Sequence, residues 1–238
     1  AAMAKRKTSA GLTNLERFGG TAFFVCYLLL LPLAAGPARR LAEELLDRRI
    51  SEELYGAVYY YALFAVTAVL FHHLLGTSTR RFLDGPARAL KTAGVGVVAH
   101  YGLCELASRL GRVFVDRSGN LNDSAISART GSAPHMTLLI LVFLAPFVEE
   151  TLFRGLVFGG LKEKNRLLAY AASCALFALV HVWQFAVANR DPAYFLRMVQ
   201  YLIPGLVLAW AYDHSGTLWS SISLHAGVNA LSALAGSL

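Results

Sequence analysis

Charge is what this chain has least of. Only 16% of its 238 residues are Asp, Glu, Lys or Arg, against about 25% in an ordinary soluble domain. A water-covered globule of this length is thereby excluded, and a mean hydropathy of +0.49 says that much of the apolar surface faces lipid. Cysteine is nearly as scarce. Cys26, Cys104 and Cys174 all fall inside apolar runs, with neither metal nor disulfide spacing, and read as small packing residues. No Gly-x-Ser-x-Gly, His-Glu-x-x-His or phosphate-binding glycine loop occurs, so serine hydrolases, zincins and nucleotide enzymes have no support. Internal repeats are absent as well. The polar stretch Ala1–Arg17 lacks a cleavable-signal pattern, and the apolar run behind it is expected to remain as a span.

What is present is a series of long apolar stretches, at 19–36, 54–76, 90–110, 136–161, 167–188, 194–213 and 218–238. Each is judged against the roughly 20 residues that cross a bilayer as helix. They are continuous rather than alternating, so helices and not barrel strands satisfy their backbones in lipid. The expected fold is an all-α polytopic bundle of about seven spans. Its parts are a basic tail (1–18), a front transmembrane part (19–111), a polar loop (112–135) and a back transmembrane part (136–238). Within the front part, Pro37 is expected to open an amphipathic helix near 37–53, with Leu41, Leu45, Leu46 and Ile50 at helical spacing among charges.

The net charge of +7 sits in short clusters between apolar runs: Lys5-Arg6-Lys7, Arg39-Arg40, Arg48-Arg49, Arg80-Arg81 and Lys162 to Arg166. That distribution suits membrane lipid headgroups, not nucleic acid. An N-terminus-inside arrangement puts 11 Lys and Arg inside and 10 outside, with Arg154 within a span. The tail cluster with Arg17 sets the expectation of a cytoplasmic N-terminus.

The back part holds residues that lipid does not tolerate. Glu149, Glu150 and Arg154 stand mid-run in APFVEETLFRGLVFGG, where each ion costs at least about 2.5–3.5 kcal/mol unless it faces a protein interior. Glu150 and Arg154 are i,i+4 and share a face. Glu149 and Arg154 are five apart, about 140° around the helix, so one carboxylate is neutralised and the other stays free. Pro146 is expected to loosen the helix beside Glu149. His181 ends Phe177-x-x-x-His181 in the next run, and His225-x-x-x-Asn229 puts two polar side chains on one face of the last. Gly155 and Gly159, and Ala226 with Gly227, admit close helix approach. At 1.5 Å per residue, Glu149, His181 and His225 lie roughly 18, 21 and 10 Å from one membrane side. His100 and Glu105 are expected to buttress the bundle, and Asp213-His214-Ser215-Gly216 to form a turn.

Glu149-Glu150-x-x-x-Arg154, Phe177-x-x-x-His181 and His225-x-x-x-Asn229, in this order and each within an apolar run, resemble the motifs of the CPBP family. These are the CAAX-processing and bacteriocin-processing intramembrane proteases, also called Abi proteins, related to the Rce1 prenyl-protein endopeptidase. The resemblance covers about the last hundred residues. It implies endoproteolysis of a membrane-associated protein or peptide substrate. It implies that Glu149 and His181 hold and activate a water, beside the paired Glu150 and Arg154, while His225 and Asn229 stabilise the oxyanion. The family is commonly classed as metalloproteases, and a zinc alternative would take Glu149, His181 and His225 as ligands with water as the fourth. The residue chemistry agrees with hydrolysis: a desolvated Glu can deprotonate water, and an Asn-type donor to the oxyanion is worth about 2.7–4 kcal/mol. A non-catalytic scaffold or receptor of the same fold, or a proton-coupled transporter, is the alternative. The compact chain reads as prokaryotic, with the site toward the cytoplasm.

Overall fold

The computed structural model describes residues 11–111 and 134–236. Lys5-Arg6-Lys7 and nearly all of the polar loop 112–135 lie outside the described residues. Among the described residues all regular structure is helical: α1 (Asn14–Leu46), α2 (Glu52–Leu70), α3 (His72–Leu83), α4 (Pro86–Gly111), α5 (Met136–Lys162), α6 (Arg166–Val180), α7 (Trp183–Asn189), α8 (Val199–Ser215) and α9 (Leu218–Gly236). A 3₁₀ stretch, Pro192–Met198, precedes α8. Five segments are long and apolar enough to cross a membrane: α1, α2, α5, Arg166–Asn189 and Pro192–Ser215. The protein is therefore a multi-pass all-α membrane bundle. The other two expected spans form helices but fall short on apolarity, for identifiable reasons. Arg88, Lys91, His100, Glu105 and Arg109 interrupt α4, and four serines with His225 and Asn229 dilute α9.

The first helix begins on a capping box. Thr13 Oγ1 accepts from Glu16 N–H, and the Glu16 carboxylate accepts from Thr13 N–H at 2.7 Å. Its other oxygen accepts from Leu74 N–H at 2.7 Å, tying the buried start of α1 to α3. Pro37 does not open a new helix. It stands inside α1, which runs on to Asp47, whose left-handed backbone (φ 48°) ends it. A proline forfeits only its own N–H and crowds one preceding carbonyl, and the small Ala34, Ala35 and Gly36 precede it. The turn that follows is fastened by polar bonds: Arg39 donates to Ile50 O at 2.7 Å, and Ile50 N–H donates to Glu43 at 2.9 Å. Leu41, Leu45 and Leu46 are exposed along this end of the helix.

In α5, two π-helical stretches, Ile140–Leu144 and Thr151–Phe158, flank the α-helical Ala145–Glu150. Such wider turns are rare and gather at functional sites. Gly155 lets α5 lie against α3 and α9, since a Cβ there would stand 2.7 Å from Leu74 Cδ2 and 3.5 Å from Leu218 Cδ1. The start of α9 is clamped by α3. Ser78 Oγ accepts from Leu218 N–H at 2.7 Å, and Thr217 Oγ1 donates to Ser78 O at 2.9 Å. One residue on, Trp219 Nε1 donates to Thr79 Oγ1 at 2.9 Å. This clamp fixes the phase in which α9 presents His225 and Asn229.

Asp213 is no part of a simple turn. It closes α8 with a nearly buried carboxylate bound by Lys162 (2.5 Å), Arg166 (2.6 Å) and Tyr170 (3.0 Å), and Gly216 (φ 76°) stops the helix. Arg88 and Arg81 donate to the free carbonyls of Ser215 and Gly216. The Thr13, Gly85, Glu163 and Gly216 ends of the helices thus share one end of the bundle, and Asp47, Gly111 and Arg190 lie at the other.

Candidate active site

The wide turns of α5 determine what its carboxylates meet. Glu150 and Arg154 pair at 2.9 Å, both fully buried, as their spacing predicts. Arg154 also donates to Gly205 O at 3.1 Å and lies 4.4 Å over the Phe177 ring. It reaches Gly205 because α6 and α8 touch there; a Cβ on Gly205 would stand 3.3 Å from Cys174 Cα. The mid-span Pro204-Gly205 pair was the available signal, and motif reading passed over it.

Glu150 has a second partner that the spacing did not reveal. His225 Nδ1 lies 3.0 Å from Glu150 Oε1, while His225 Nε2 lies 4.0 Å from Glu149 Oε2. One imidazole thus joins the two carboxylates. Glu149 is buried, and its Oε2, like Oε2 of Glu150, has no hydrogen-bond partner among the described residues. Glu150 is nonetheless held through Oε1 by Arg154 and His225, whereas the ion-pair contact of Glu149 is His225 at 4.0 Å.

His181 is fixed through its other nitrogen. Its Nδ1 lies 2.7 Å from Phe177 O, and since a carbonyl only accepts, Nδ1 donates and Nε2 remains as the second site of the ring. The ring stacks on Tyr201 with centroids 4.6 Å apart and lies within electrostatic reach of Glu149.

Asn229 donates Nδ2–H to Leu141 O at 2.8 Å. The reason is readable in the backbone. In the π-helical turn Ala145 N–H bonds back to Ile140 O, so the next bond would run from residue 146 to Leu141 O. Residue 146 is proline and has no N–H. The expected loosening at Pro146 therefore takes the form of one freed carbonyl, and Asn229 fills it.

His181, His225 and Asn229 line one cavity of about 210 Å³ together with Phe177, Tyr201 and Leu224. Glu149 is not part of the lining, although it stands beside His225. The cavity walls extend to Cys104, Gln200 and Ser232, near the Gly111, Met198 and Gly236 ends of their elements.

The three residues of the zinc alternative do not fit a metal as placed. Among the described residues no three His, Cys, Asp or Glu side chains stand close enough to hold an ion.

Residues 131–231 match the family model of the Rce1-like type II CAAX prenyl endopeptidases. The family read from the motifs is borne out. This segment is similar to that family. The matched segment contains every motif residue from Glu149 to Asn229, and the family it is similar to is one of proteases. Among curated proteins, UPF0177 protein YxdF of Lactococcus lactis subsp. lactis (strain IL1403) is 29% identical over 109 residues, 45% of this chain and 55% of that protein. The chain spans about half the length of the curated relative it matches. No solved structure matches it.

Proposed function

We propose that the protein is an intramembrane endopeptidase that hydrolyses a peptide bond of a membrane-associated protein or peptide, with Glu149 as the base. One observation carries this reading: Glu149, whose buried Oε2 has no hydrogen-bond partner among the described residues, stands beside a cavity lined by His181, His225 and Asn229. Peptide hydrolysis needs a base for water and donors for the carbonyl oxygen as it becomes negative. Glu149 Oε2 takes the proton of the attacking water. His181, held through Nδ1, offers Nε2 to orient that water. Asn229 has one amide hydrogen on Leu141 O and a second left for the oxyanion, and His225, whose Nδ1–H donates to Glu150, adds an Nε2–H donor as the imidazolium. Glu150 and Arg154 touch no reacting atom; they hold His225 in place. No step is assigned to a metal. Prenylated and unprenylated membrane peptides are both within this substrate class.

The test is comparative N-terminal proteomics of membranes from cells expressing the native chain or Glu149→Ala. New N-termini that require Glu149 support the reading. Identical N-terminal sets in the two membranes, with equal expression, overturn it.

A further inference from the structure

The cavity has one more imidazole than the motifs supply. His100 lines it from α4, outside the Rce1-like segment, and lies within electrostatic reach of His225. Its ring packs edge-on to Tyr101, centroids 5.0 Å apart, and Tyr101 in turn donates to Val228 O in α9 at 3.3 Å. The close run of α4 along α9 makes this possible. Gly96 meets Leu224, where a Cβ would stand 2.7 Å from Leu224 Cδ2, and Gly227 sits 3.5 Å by the same measure from Val97 Cγ2. His100 is half-buried, and neither ring nitrogen has a hydrogen-bond partner among the described residues. It therefore does not buttress the bundle by polar contact.

An imidazole in an apolar helix loses water's hydrogen bonds and ordinarily recovers them from a neighbouring side chain or carbonyl. The other cavity imidazoles do so: His181 on Phe177 O and His225 on Glu150. His100 alone among the three keeps both nitrogens for whatever enters the cavity. We propose that His100 is a substrate-positioning residue, hydrogen-bonding a backbone amide of the peptide that occupies the cavity beside the scissile bond. This rests on the endopeptidase reading for its substrate. It assigns His100 no proton transfer, since Glu149 and the oxyanion donors are on other helices.

The role predicts a defined kinetic signature. A hydrogen bond made equally in ground and transition states changes KM and leaves kcat alone. One neutral bond corresponds to a change of about two- to tenfold. The experiment uses the full chain in detergent and a proteome-derived peptide library, read by mass spectrometry. Cleavage is followed with the native sequence, His100→Leu and His100→Gln. Retention of the same library is followed on Glu149→Gln and on Glu149→Gln/His100→Leu. His100→Leu should raise KM about two- to tenfold at constant kcat and leave the melting temperature unchanged, because no internal bond is lost. His100→Gln, whose amide both donates and accepts, should restore KM. Peptide retention on Glu149→Gln should fall when His100 is also replaced.

Unchanged KM and retention in His100→Leu overturn the proposal, as does a lowered melting temperature that His100→Gln fails to repair. If the native chain cleaves nothing but retention still depends on His100, the endopeptidase reading falls and peptide positioning stands. If the library is neither cleaved nor retained, both fall.

Discussion

Removing either member of the Glu150–Arg154 pair should destabilise the protein far more than removing both. Each side chain is fully buried, the pair is bonded at 2.9 Å, and Arg154 has no other carboxylate in contact. Stranding one buried ion costs about 3–5 kcal/mol, whereas replacing both by uncharged groups of similar volume is close to neutral. Glu150→Gln keeps an oxygen to accept from His225 Nδ1, so its effect isolates the lost countercharge. Arg154→Met keeps the volume beside Phe177. On a scale of about 2–4 °C per kcal/mol for chains of this length, each single variant should melt about 6–20 °C lower in detergent, followed through Trp183, Trp210 and Trp219 fluorescence. Glu150→Gln/Arg154→Met should recover most of that loss, so that the coupling in the double-mutant cycle approaches the sum of the two single losses. Additive losses would refute a buried ion pair and leave Glu150 to be explained by His225 alone.

Glu149→Gln should behave oppositely, melting like the native chain because its Oε2 has no partner to lose, while cleavage falls at least about 10²-fold; near-native turnover would remove Glu149 as base. Asn229→Ala should cost about 1–3 kcal/mol for the uncovered Leu141 carbonyl and about 10²–10³ in kcat for the lost oxyanion donor. Adding Pro146→Ala, which restores an N–H for Leu141 O, should return the stability and not the activity; recovery of both would make Asn229 purely structural. Finally, the basic tail predicts the Thr13 end inside the cell, so in a cysteine-free background Glu163→Cys should resist an impermeant thiol reagent in intact cells and Arg48→Cys should react. Labelling of Glu163→Cys but not Arg48→Cys would refute that topology.

What the sequence made legible was whatever depends on spacing along one helix. The i,i+4 relation of Glu150 and Arg154, the shared face of His225 and Asn229, and the helical character of all seven apolar runs follow from period alone. What it hid depends on phase between helices. His225 meets Glu150 more closely than Glu149, 3.0 against 4.0 Å, because α5 changes pitch on both sides of the pair, and pitch is invisible in a hydropathy run. The Pro37 misreading has a related cause: a proline marks a helix start only where the preceding turn is unmade, and here α1 was already running.

The same consideration makes Asn229 a joint between fold and chemistry. Pro146 removes a donor, the π-helical pitch decides which carbonyl loses it, and an amide on another helix restores it. That bond ties α9 to the turn just before Glu149 and Glu150, while the Ser78 clamp holds the α9 start. With both ends of the His225 helix turn fixed against α5 and α3, the imidazole has little freedom to leave the carboxylates. The precision that the proposed base and oxyanion donors require would be supplied by this backbone repair, in a bundle whose lipid-facing surface contributes no directional force of its own.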